Sequence, residues 1–319
     1  MTINNNSLFG SREGELIEIT YNLSLPMRLD RWLVSVRPEQ SRSSIQNMIN
    51  SELILVNYKT AKAKTPVKKG DNIQIWLLPP EPLPYLKPEK MDLNILFEDD
   101  HIIVINKPAG LTVHPAPGHK SGTLVNGLLN HCINLPGING KLRPGIVHRL
   151  DKDTTGCIVV AKDQESLVNL QLQIKNKIAS RNYLAVIHGC PNSDAGRIIG
   201  NIGRHSSDRK KYAVVDDNSG KYACTHWKLI KKYKNYSLMS FKLDTGRTHQ
   251  IRVHCAHIKH PILGDQLYGR CKKLPCNLTG QALHANKLGL IHPINGEEMI
   301  FEADFPDEFK KLLKLIKNL

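Results

Sequence analysis

The densest chemistry in this sequence lies in GIVHRLDKDTTGCIVVAK at 145–162, where His148, Arg149, Asp151, Lys152 and Asp153 fall within six positions just before an apolar run. Polar loops carried on a rigid strand are where binding and catalytic groups are commonly placed. A carboxylate such as Asp151, set among cationic neighbours, is favoured in its ionised form and so suits nucleophilic or electrostatic work. Taken by itself, the pattern is met more simply by a surface turn closed by local ion pairs.

Two further segments carry reactive side chains. RNYLAVIHG at 181–189 starts a strand-like run with Tyr183, and LDTGRTHQIRVHCAHIKHPILGDQLYG at 243–269 holds Arg247, Arg252 and four histidines. His249, His254, His257 and His260, with Cys271 and Cys276 close behind, raise the alternative of a zinc-stabilised domain or metalloenzyme. Neither a paired CxxC nor an HExxH is present. On a helix His249 and His260 would also lie three turns apart, so no metal is expected. GHKSGT at 118–123 lacks the spacing of a phosphate loop and reads as a turn.

Elements must position these groups. Ile95–Glu98 and Ile102–Asn106 look like strands joined at Asp99 and Asp100, 123–131 like a short helix, and Cys157–Ala161 like a buried strand. A helix is expected over 164–178, with Leu167, Leu170, Ile174 and Ile178 on one face. Strands at 183–188, 222–229 and 236–243 precede a helical stretch at 248–259. The chain closes with an amphipathic helix burying Phe309, Leu312, Leu313 and Ile316. Without a clean βαβ alternation the expected class is α+β, with a mixed, mainly antiparallel sheet flanked by helices.

The first 16 residues form a polar tail, and 17–78 a compact unit of two short helices and short strands. In that unit Leu29, Leu33 and Val36, and then Ile45, Met48 and Ile49, have helical spacing. Residues 27–70 hold nine Lys or Arg against three acids, Arg28, Arg31 and Arg42 among them. PPEPLPYLKPEK places five prolines within 79–90, a stiff linker over 79–92, and a second domain follows over 93–319.

The whole chain has 44 Lys plus Arg against 29 acidic residues, a net charge of +15, and such an excess favours a polyanion, nucleic acid first. At 40% hydrophobic and 23% charged it has the composition of a soluble globular protein, with no run of the ~20 apolar residues a bilayer requires. The N-terminus carries no signal or transit pattern, so a cytoplasmic location is expected. Seven cysteines, several in apolar runs, read as reduced thiols.

The segment RLDRWL…SRSSIQNMI resembles the small RNA-binding domain named after ribosomal protein S4, which implies that Arg28, Arg31 and Arg42 meet RNA. HRLDKDTTG resembles the HRLD-x-x-[TS]-[ST]-G signature of the RluA/RluD family of pseudouridine synthases, and the segments at 181–189, 243–269 and 282–293 resemble further blocks of that family. The resemblance implies Asp151 as the catalytic aspartate, Tyr183 packing on the target base and able to accept a proton, and Arg252 paired with the aspartate. It also implies Arg149 and His148 at the flipped nucleotide and Arg247 near phosphate. Cys157, where an aliphatic residue is usual, and the segment 270–280 depart from the pattern. No cofactor is implied, and a monomer is expected. The spelling is most similar to the branch that modifies large-subunit ribosomal RNA, free or in the assembling subunit. The same chemistry on transfer RNA, or RNA binding without catalysis, are the alternatives.

Overall fold

A computed structural model describes residues 14–318 apart from 38, 39, 41, 79–86, 116–118, 133, 134, 138–143, 209, 217, 218 and 270–273. The chain divides into two compact units, 1–82 and 83–319. Of the expected proline-rich linker, residues 79–86 lie outside the described residues.

The first unit comprises β1 (Glu15–Thr20), β2 (Met27–Arg28), α1 (Leu29–Val36), α2 (Arg42–Asn50), β3 (Ile54–Val56), β4 (Lys59–Thr60), β5 (Pro66–Val67) and β6 (Asn72–Leu77). One sheet has the order β1-β6-β3-β4, and β2 pairs with β5. Glu15 and Leu16, expected in the polar tail, pair instead with Leu77 and Trp76 of β6, and residues 1–13 lie outside the described residues. Leu29, Leu33, Ile45 and Ile49 enter the core as their spacing requires, but Val36 is exposed and Trp32 takes the buried place.

Beneath the basic surface sits Asp30, whose fully buried carboxylate accepts from Arg28 (2.9 Å), Arg42 (2.9 Å) and Gln46 (3.0 Å). Arg28 and Arg42 are therefore anchored from below while keeping exposed surface, and Arg31 is exposed. Hydrogen bonds from Arg28 foremost, then Arg42 and Gln46, outweigh burial and hold the Asp30 carboxyl well below the ordinary 3.8. Since the folded value is depressed, the stabilisation is complete above pH 3.8 and fades as pH falls below it. Asp30→Asn is expected to cost about 2 kcal/mol and to remove this part of the acid sensitivity. Acid titrations of the whole protein, followed by tryptophan fluorescence, test it.

The second unit contains β7 (Ile95–Glu98), β8 (Ile102–Lys107), α3 (Leu124–His131), β9 (Thr155–Ala161), α4 (Gln164–Lys175), β10 (Ser180–His188), β11 (Ala195–Arg204) and β12 (Tyr212–Val215). Then follow β13 (Lys221–Lys232), β14 (Tyr236–Leu243), α5 (Gln250–His257), β15 (Leu283–Ile291), β16 (Glu298–Glu302) and α6 (Asp307–Lys317). The sheet runs β12-β11-β13-β14-β10-β15-β9-β8-β7, with β16 also on β15. Among the described residues only β15 and β9 pair in parallel, so the α+β class and the mixed, mainly antiparallel sheet are as expected.

Continuous apolarity in β9 reflects cover on both faces. Ile158 and Val160 join Leu124 and Leu128 of α3 and Phe309, Leu312 and Ile316 of α6, whereas Cys157 and Val159 join Leu167 and Leu170 of α4. Cys157 thus does the work of the aliphatic residue usual there. The helix expected to reach 178 stops at Lys175. Lys177 turns into the left-handed region (φ 60°) and Ile178 is 51% exposed, because the chain must reverse before β10. The described cysteines 132, 157, 190, 224, 255 and 276 are all free thiols.

Candidate active site

Asp151 lies in the loop between Ile146, which bridges to Val160, and β9. Its seat is fixed from three sides. Gly156 holds a positive φ of 108° against β15, and a Cβ there would collide with the Ala285 backbone. That close approach is what the glycine of HRLDKDTTG provides. Gln281 donates to the Thr154 hydroxyl (2.9 Å). Underneath, fully buried Lys107 donates to the carbonyls of Pro108 (2.7 Å), Leu111 (2.9 Å) and Lys152 (2.8 Å), the last belonging to the residue after Asp151.

Burial pushes the Lys107 pKa down to about 7, opposed by Asp153 and Asp151. Only the ammonium, with three N–H groups, can meet all three carbonyls at once. Lys107→Met leaves three buried acceptors without a donor and is expected to cost at least about 3 kcal/mol, read from denaturant unfolding, with the loop at 147–154 losing protection first in hydrogen exchange.

Arg252 on α5 donates from Nη1 to Asp151 Oδ2 at 3.0 Å. The two-pronged contact goes elsewhere: Nε and Nη2 grip Asp265 at 2.7 and 2.9 Å. Asp265 is wholly buried and also accepts from the Leu267 and Tyr268 amides (2.9 and 3.0 Å). Arg252 is thus aimed by Asp265, which leaves one N–H edge for Asp151. Burial disfavours the Arg252 charge, but both carboxylates outweigh it and raise its pKa above the usual arginine value.

Tyr183 stands on β10 inside the same core. The register slips beside it: Asn182 faces Lys287 while Leu184 faces His284, so β15 carries one extra residue across from Tyr183. Such bulges re-aim side chains next to functional sites. Burial chiefly, with Asp151 adding, pushes its hydroxyl up to about 12, so at neutral pH Tyr183 offers an aromatic face and an O–H rather than a phenolate.

His249, the residue before α5, takes the left-handed conformation (φ 57°) and turns its ring between Tyr212 and Tyr268. Its Nδ1 lies 2.9 Å from the Tyr268 hydroxyl and its Nε2 4.0 Å from Asp151. Burial lowers its pKa, with Asp151 opposing, so it faces the carboxylate as a neutral ring.

Asp151, Arg252, Tyr183 and His249 line a cavity of about 520 Å³, which Arg149, Arg181, Arg247, Lys175 and Lys177 also line. Arg149 and Arg247 are exposed, and Arg247 Nε donates to the Tyr222 carbonyl (2.8 Å). His148 lines the cavity but accepts from the Val159 amide (3.2 Å). Burial, with Arg181 adding, pushes its pKa down to about 3, so the ring fastens the loop to β9 as a neutral group. A cavity of this volume suits a nucleoside rather than a macromolecular segment. Its walls carry the cations named above, and Asp151 presents its carboxylate among them.

Of the histidines raised as zinc ligands, His254 binds the Thr225 hydroxyl (2.9 Å) and His260 the His188 carbonyl (2.9 Å), and they do not converge. Among the described residues, the group whose donor atoms do converge is Cys224, His226 and Asp244. There His226 and Asp244 already satisfy each other at 3.0 Å, and burial raises the Cys224 thiol pKa.

Sequence reasoning passed over Asp265 and Lys107, and weighed His249 only in a zinc alternative that it set aside. The GDQLYG turn and a lysine ending an apolar strand before proline were the available signals.

The described helices include none long and apolar enough to cross a membrane. Residues 101–257 match the RNA pseudouridylate synthase family and 27–73 the S4 domain. An uncharacterised RNA pseudouridine synthase of Synechocystis is 46% identical over 92% of this chain and 90% of its own. The ribosomal large subunit pseudouridine synthase D of Zymomonas mobilis is 43% identical over 91% and 93% respectively. The solved structure of human RNA pseudouridylate synthase domain containing 4 superposes with a TM-score of 0.54 at 26% identity, covering 70% of this chain and 93% of that one. With a carboxylate and its arginine at the floor of a nucleoside-sized, cation-lined cavity, and with these similarities spanning nearly the whole length, this chain belongs to the RNA pseudouridine synthases, isomerases that convert uridine in RNA to pseudouridine.

Proposed function

We propose that this protein modifies specific uridines of large-subunit ribosomal RNA, in the cytoplasm and as a monomer, with Asp151 as its catalytic carboxylate. The observation that carries the catalytic assignment is Asp151 held at 3.0 Å by Arg252 on the cavity floor beside Tyr183. The substrate assignment rests on relatives named ribosomal large subunit pseudouridine synthase D, 42 and 43% identical over more than nine-tenths of this chain.

The reaction breaks the bond from ribose C1′ to uracil N1, turns the base and joins C1′ to C5. The C5 proton is lost and N1 gains one, so the product has the atoms of the substrate and no co-substrate is needed. Asp151 is the group that either attack at C1′, addition to the ring or removal of the C2′ proton would require. Arg252 orients it. Tyr183 packs on the uracil, and the cavity walls retain the detached base while it turns.

The target must leave its stack, and Arg149 on the exposed rim is placed to fill the vacated space while Arg247 meets phosphate. His148 acts through the loop that carries both Arg149 and Asp151. In the first unit Arg28, Arg31 and Arg42 bind the RNA backbone, the first and last from their shared Asp30 anchor.

Pseudouridine mapping in ribosomal and transfer RNA from cells lacking the protein, complemented with wild type or Asp151→Asn, tests this. Loss of large-subunit sites restored only by wild type is expected; sites lost in transfer RNA alone would refute the substrate, and no lost site would refute the activity.

A further inference from the structure

The catalytic cavity accounts for one nucleotide, yet the sheet beside it keeps an exposed tyrosine and isoleucine on one face. On β11 and β13, Arg197 pairs with His226, Ile199 with Cys224 and Asn201 with Tyr222. Alternation sends Ile198, Ala223 and Thr225 to the side where α5 packs, through Val253 and through Gln250 and His254 on the Thr225 hydroxyl. Arg197, Ile199, Tyr222, Cys224 and His226 share the opposite side. There Tyr222 is 52% and Ile199 50% exposed, and Arg197 is exposed as well.

This face runs into the cavity rim. Arg247, which lines the cavity, donates to the Tyr222 carbonyl at 2.8 Å. Asp244 and Lys177, also on the rim, join it through the 3.0 Å pair of Asp244 with His226.

We propose that Tyr222 is the platform of a second RNA subsite, stacking the base of an unpaired nucleotide next to the uridine being modified. The proposal rests on the reading of the cavity as the uridine site. Extracting one base from a loop unstacks its neighbours, and an exposed aromatic ring flanked by cations is the surface that receives such a base without regard to its identity. Charge favours RNA, because Arg197 shares the face of the ring and Arg247, on the adjoining cavity rim, donates to the Tyr222 carbonyl. Two apolar side chains fall far short of the area that a stable protein interface buries.

The test uses the full-length protein with two RNAs. A stem-loop with a uridine-rich loop, carrying 2-aminopurine beside each uridine in turn, reports binding and stacking. A full-length large-subunit ribosomal RNA transcript tritiated at uridine C5 reports catalysis. Tyr222→Ala is expected to raise Kd and KM about tenfold, as the loss of one stacked base does, and to leave kcat at saturating RNA unchanged. The quench of 2-aminopurine at one flanking position should disappear, and Tyr222→Phe should restore all three readouts. Wild-type affinity and quench in Tyr222→Ala, or a Phe variant as weak as Ala, would overturn the platform. Failure of the wild type to release tritium would instead overturn the catalytic reading, and the binding arm would still decide on Tyr222.

Discussion

Asp151→Asn is expected to lower the rate of pseudouridine formation on the order of 10³-fold or more while leaving the protein folded and able to bind RNA. The amide keeps the carboxylate's shape, so an oxygen can still face Arg252. Arg252 itself stays in place because its fork is on Asp265. What disappears is the negative charge that each route to base detachment needs at the sugar or ring. Tritium release from C5-labelled RNA measures the rate, and thermal unfolding and filter binding measure the rest. Retention of a tenth of the wild-type rate would remove Asp151 from the chemistry. A loss of binding parallel to the loss of rate would make it an RNA-contact residue instead.

The contrast between Asp151 and Asp265 shows where sequence reading succeeds and where it stops. HRLDKDTTG announces itself because its polar residues crowd a short loop before a buried strand, and the local pattern holds most of the information. The second carboxylate is thirteen residues from Arg252 and 114 from Asp151, in a turn whose composition is ordinary. Its role exists only once α5 and the following turn fold back on each other. The strands flanking the site were read from apolar runs that hold on both faces of β8 and β9. β11, with Gly196, Gly200 and Gly203 breaking its alternation, was not. Lys107 was missed because a lysine closing a strand is normally solvated, and nothing local says that three carbonyls will surround it.

Asp265→Asn should be the most damaging change among residues lining no part of the cavity. It removes the more deeply buried of the two carboxylates that neutralise a guanidinium itself only 7% exposed. Breaking one side of such a pair costs about 3–5 kcal/mol, because the partner's charge is left buried. The rate should also fall, by roughly ten- to a hundredfold if misaiming costs about 1.4 to 2.7 kcal/mol of transition-state stabilisation. Arg252 no longer has two prongs fixing the edge that meets Asp151.

A merely structural role would lower stability and leave kcat per folded molecule intact. The decisive variant therefore removes both charges. Asp265→Leu with Arg252→Met removes both ions of this pair, and replacement of a buried pair by apolar groups is often neutral or stabilising. That double variant should recover at least about 2 kcal/mol relative to Asp265→Asn and yet stay as inactive as Arg252→Met alone. Stability regained without activity would identify Asp265 as the residue that aims Arg252. Stability and activity regained together would show that neither the pair nor its grip on Asp151 matters to the reaction.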